Sequence, residues 1–228
     1  MKKLFLLTFL NLSVLVSSAQ KSVVLDAFKK HGIDPSILDP ASKEWPQNYK
    51  FDYKYTSVTG DKEKITLAKF DPSKPKEEQW TVISVKGKKP STSDIKSFRK
   101  NQSKSPVSAK TDERTYKIEK ENAEYLVITY KQDPASLPAE ALFMKDCKLY
   151  MIINLKTKRL EKLQSLNEKP LKIKIFNAEK LDLVVKFTYN EQEKRYFTVS
   201  EDLNLMVKFL GQLAPMETIS EYSNYKKI

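Results

Sequence analysis

The chain has 228 residues, with 41 Lys or Arg against 29 Asp or Glu, and a formal charge of +12. One histidine, one cysteine and four glycines are too few for the usual zinc set, an intrachain disulfide, a phosphate-cradling loop or a dinucleotide fingerprint. The basic residues are scattered, as in "NLKTKRLEKL", so solvated faces and loops account for them and no nucleic-acid partner is expected.

The first segment, "MKKLFLLTFLNLSVLVSSAQ", sets Lys2 and Lys3 before an apolar run that ends in small residues. This pattern reads as a secretory signal peptide cleaved after Ala19. Cleavage removes 19 residues, two of them lysines, and leaves 209 residues at +10. That length supports a single domain over residues 20–228. Gln20 rather than cysteine follows the cut, so a lipid anchor on the new N-terminus is not expected. Cys147 is read as a small strand-end residue rather than a reactive thiol.

"SVVLDAFKKHG" predicts a short amphipathic helix with Val24, Phe28 and His31 on one face and Gly32 as its stop. His31 should cap that helix end. A proline-punctuated connection follows, with Trp45 packing down as a plug. From residue 49 the period changes to two: "YKFDYKYTSVTGDKEKITLAKF" reads as two strands around a turn at Gly60 and Asp61. A third strand runs through "EQWTVISV" towards Gly87. Ser91 and Asp94 are then spaced to satisfy backbone donors at a helix start, and a helix from about Thr92 to Lys104 should carry a thin apolar stripe of Ile95 and Phe98.

Strands follow at "RTYKIEKE", "AEYLVITYK", "KLYMIINLKT", "RLEKLQSLN", "PLKIKIFN", "LDLVVKFTYN" and "KRYFTVSEDLNLMVKFL", then the closing "ETISEYSNYKKI". Their connections are mostly hairpin-sized, which predicts antiparallel pairing. "YLVITY" and "LYMII" are apolar on both faces and so should be covered on both sides or border an exposed patch. The expected fold is α+β and mainly antiparallel β: a curved, incomplete β-barrel with two or more helices covering its concave face. A sheet of that kind can enclose more volume than side chains fill. The rings of Tyr49, Phe51, Tyr53 and Tyr55, on alternate positions of one strand, are then either packed core or a cavity wall.

Catalytic patterns are missing. His31 alone would have to serve any Ser-His-Asp arrangement. Paired carboxylates have candidates in Glu124, Glu140 and Asp146, but no spacing singles them out. A non-enzymatic protein without cofactors is expected.

The order of signal peptide, short helix, aromatic strand, "WTVISVKGKKPSTSDIKSFRK" and a meander ending in "ISEYSNYKKI" resembles the LolA-like group of periplasmic lipoprotein carriers, in a Bacteroidetes-type exported form. The resemblance implies a periplasmic protein whose apolar cavity takes lipid or lipoprotein acyl chains, with helices as a movable lid. On that reading the inner face would hold Tyr53, Tyr55, Leu67, Ile83, Val85, Val127, Ile153, Val185 and Phe187, with Ile95 and Phe98 on the lid. Met151 and Met206 would adapt to chains of varied length. Peripheral contact with anionic envelope lipids and an envelope protein partner fit the basic charge. The alternative is an envelope interaction module with a filled core, binding a protein or polysaccharide through an exposed face.

Overall fold

The computed structural model describes residues 20–44, 47–102, 109–173, 176–209 and 211–228. Helix α1 covers residues 20–31. Strands β1 (Tyr49–Thr59), β2 (Lys62–Phe70) and β3 (Trp80–Val85) come next, then helix α2 (Thr92–Gln102). The rest is strand: β4 (Thr111–Glu121), β5 (Tyr125–Gln132), β6 (Cys147–Asn154), β7 (Arg159–Asn167), β8 (Leu171–Ile173), β9 (Phe176–Asn190), β10 (Arg195–Phe209) and β11 (Gln212–Lys227). The predicted signal peptide and Trp45 lie outside the described residues.

Local chemistry sets these boundaries. Gly60, at φ +57°, fills the tight turn between β1 and β2 with a conformation that side chains resist. Three Asp-Pro pairs each start a 3-10 turn: the carboxylates of Asp34, Asp39 and Asp133 accept from the backbone N–H two residues on, while the proline fixes φ and gives up no needed donor. Ser91 opens α2 as its spacing predicts. Its hydroxyl accepts from Asp94 N–H at 3.1 Å, and the Asp94 carboxylate accepts from Ser91 N–H at 3.1 Å. Gly32, at φ +64°, ends α1, with Ile33 N–H returning to the Phe28 carbonyl at 2.9 Å.

All eleven strands form one antiparallel sheet in the order β3-β2-β1-β11-β10-β9-β7-β6-β5-β4, with β8 added beside β9. The sheet is open and curved, as the sequence predicts. Its order departs from a simple meander in two respects: β7 pairs with β9 past β8, and β11 pairs with β1, so the last strand joins the first hairpin to the rest. The chain from β3 to β4 therefore crosses from one edge to the other, and α2 lies on that crossing.

Paired positions on antiparallel strands share a face. One row runs through Val85, Thr66, Tyr55, Ser220, Glu201, Val185, Leu163, Met151, Ile128 and Ile118, which fixes the concave face across ten strands. Both helices pack on it. Helix α1 buries Val24, Ala27 and Phe28 against Leu126, Ile128, Met151 and Ile153. Helix α2 sets Phe98 against a cluster of Phe51, Tyr53, Phe70, Trp80 and Tyr222. A third cluster, around Cys147, Leu171, Ala178, Leu181 and Val207, is flanked by Phe143 and Met144 from the 3-10 stretch Ala139–Asp146.

The opposite face is polar and cross-linked by ion pairs, including Lys54 to Glu221 at 2.7 Å and Lys186 to Asp202 at 3.0 Å. Three residues expected on the inner face are not there. Leu67 pairs with Lys54 and is 40% exposed. Val127 pairs with Ile152, one position out of phase with the inward Leu126 and Ile128. Ile83 stands where the β2–β3 register slips, 48% exposed. A one-residue shift changes the face of a strand, and β-bulges in this sheet supply such shifts. Met206, paired with Lys180 and Pro215, likewise faces outward.

Candidate functional site

Between the clusters under α1 and α2 the concave face is only partly covered. Leu149, Leu163, Leu183, Val185, Leu203, Leu205 and Met216 are all partly exposed there. They occupy β6, β7, β9, β10 and β11, which are adjacent in the sheet, and form a continuous half-exposed apolar band along the concave face, hereafter the trough, whose side chains also pack on the clusters at its ends. Along β9 the stretch from Leu181 to Phe187 is about 20 Å long at ~3.3 Å per residue.

The trough is closed at one side by aromatic packing. Tyr53 lies 5.3 Å from Trp80, 5.1 Å from Tyr222 and 5.9 Å from Phe98, centroid to centroid. Phe51 stacks on Phe70 at 5.0 Å. The question posed by the alternating rings thus has a divided answer: Phe51 and Tyr53, 2% and 5% exposed, are core, and only Tyr55 reaches the trough as a partly exposed wall.

Polar groups line the junction between this aromatic cluster and the trough. The Tyr53 hydroxyl is 2.9 Å from Ser220 Oγ, and Gln102 Nε2 donates to it at 3.3 Å. Burial pushes the Tyr53 phenol up to about 12. The Tyr222 hydroxyl donates to Glu201 Oε2 at 3.2 Å. Burial raises the pKa of Glu201, and the Tyr222 hydrogen bond offsets only part of that shift. Burial, with the nearby Glu201 charge, also raises Tyr222 and Tyr225.

Of the residues expected at a site, Tyr55, Val185 and Phe187 share the concave face, with the Phe187 ring 6.1 Å from Tyr196 beside α1. Val85 is at the far end of the same row. Tyr53, Phe98 and Ile153 belong to packed clusters, and Ile95 is partly buried on α2. Met151 is buried under α1. Sequence reasoning missed Leu149, Leu163, Leu183, Leu203, Leu205, Met216 and Glu201. The period-two run Leu181, Leu183, Val185, Phe187 carries the signal that would have found β9's share.

Cys147 is fully buried and its thiol is pushed up to about 11 by burial, which suits packing and opposes nucleophilic use. His31 does not cap its own helix: Nε2 lies 2.8 Å from Glu121 Oε1, tying α1 to β4. Among the described residues no three His, Cys, Asp or Glu side chains converge to hold a metal, and no helix is long and apolar enough to cross a membrane. A shallow charged cleft opens at one end of β1 and β2, where Lys50 and Lys69 pair with Asp71 and Asp52 at 3.5 and 3.2 Å. No family model matches this chain, no curated protein is similar to it, and no solved structure matches it.

Proposed function

We propose that the protein is a non-enzymatic, LolA-like binding protein or carrier of the periplasm that holds lipid or lipoprotein acyl chains in the concave trough. The observation that supports this reading is the continuous row of partly exposed apolar side chains on β6, β7, β9, β10 and β11, lying between the cluster under α1 and the aromatic cluster under α2. Burying an acyl chain there contributes about 0.8 kcal/mol per methylene before ordering costs are subtracted. Helix α2 has no fully buried residue, which suits a lid able to lift.

The test is binding of a fluorescent acyl ester to the full chain, with native mass spectrometry of the purified protein for retained lipid. Leu203→Asp and Val185→Asp place a charge in the trough and should abolish uptake while folding persists. Ile83→Asp, on an exposed position, should leave uptake unchanged. A bare polypeptide that takes up no probe overturns the carrier reading and leaves the interaction-module reading, for which exposed Leu67 and Ile83 are the nearest surface.

A further inference from the structure

Glu201 is the one charged residue among its face neighbours in the trough. The positions that share its face on β9, β10 and β11 include Val185, Leu183, Leu203, Leu205, Thr218 and Ser220, and none of them is charged. Among the described residues no Lys, Arg or His lies within ion-pair distance of its carboxylate; its hydrogen-bond partner is the Tyr222 hydroxyl alone. In a chain with 41 basic residues, and with other carboxylates such as Asp202, Glu221, Glu193 and Asp52 already paired to lysines, an unpaired acid facing an apolar trough is a costly placement. A carboxylate with one oxygen fixed by a phenol and the other free is an acceptor waiting for a donor.

We infer that the trough's ligand is a single-chain amphiphile with a primary ammonium group, its hydrocarbon lying along β9 and β10 and its ammonium paired with Glu201. This rests on the acyl-binding reading and adds the chemistry of the polar end. Charge-assisted hydrogen bonds are the strong ones, and a partly desolvated site strengthens them further. Tyr222 holds the carboxylate by donating to Oε2, leaving Oε1 for the ligand. The free carboxyl also has a raised pKa from burial, as expected of an acid that lacks its cation.

Calorimetric titration of the full chain with dodecylamine, dodecanol and dodecanoic acid, each below its aggregation concentration at physiological salt, separates the outcomes. The amine should bind roughly tenfold or more tightly than the alcohol, and Glu201→Gln should bring the two together by weakening the amine. The protein's net positive charge favours the anionic acid, so a preference for the amine cannot come from the general field. Equal affinities, tightest binding of the acid, or an amine preference that survives in a folded Glu201→Gln variant overturns this inference while the acyl-binding reading stands. If none of the three ligands binds, both fall. Should Glu201→Gln fail to fold, the amine-to-alcohol ratio of the natural chain decides.

Discussion

Glu201 also carries a stability consequence. An acid whose pKa rises on folding binds its proton more tightly in the folded chain, so stability falls as pH climbs from the ordinary value of 4.5 through the folded one. The neutral isostere in Glu201→Gln removes that loss. The variant is expected to melt higher than the natural chain at pH of about 7 to 8, with the gap closing near pH of about 4, where both carry a neutral side chain. Thermal unfolding across that range checks it, and a variant that melts lower throughout would place the carboxylate in a structural role. Such a residue is difficult to find in a sequence. In "TVSEDLN" Glu201 and Asp202 are neighbours on opposite faces, and the register shift between Thr198 and Ser200 decides which one turns inward. Asp202 faces out and pairs with Lys186.

The helices differ in what the chain reveals about them. Helix α2 is announced by Ser91 and Asp94, a local signal that needs no tertiary partner, and the hydrogen bonds match it. Helix α1 is announced by the spacing of Val24 and Phe28, both fully buried. What neither pattern shows is the region of sheet that each helix covers, because that depends on a crossing between opposite edges. The two helices should also fail differently. Phe28→Ala empties a filled site and should cost about 3–5 kcal/mol of global stability, read as a lower urea midpoint. Ser91→Ala removes a cap on a helix with no fully buried residue. Its cost of about 1 kcal/mol should be local, raising hydrogen exchange in α2 with little change in the midpoint. Equal global losses from the two substitutions would mean that α2 is integral core rather than a lid.

At the scale of the molecule, the strands and their antiparallel pairing follow from alternation and short turns, while the join between β1 and β11 does not. Tyr53 and Ser220 meet across 167 positions of chain, and no local pattern specifies a partner at that distance. Yet the join places the aromatic cluster beside the trough: Tyr222 comes from β11, Phe51 and Tyr53 from β1, and Trp80 from β3. It also makes β11 the element on which the open sheet depends. Among the described residues the β1–β2–β3 unit has backbone hydrogen bonds to the rest of the sheet only through β11, and three strands with one aromatic face are near the lower limit of independent stability. A chain ending at residue 211 should therefore keep the pairing from β10 to β4, with α1 docked, and lose the N-terminal hairpin as a folded unit. Hydrogen exchange would show this as slow amides on β5, β6 and β7 beside fast ones on β1 and β2. On the carrier reading proposed above, lipid uptake should disappear as well, because the trough loses Met216 and Thr218 and the phenol that donates to Glu201. Protected β1 and β2 amides in the shortened chain would instead mean that the aromatic cluster holds together without β11, and the trough would then be a groove between two independently folded halves.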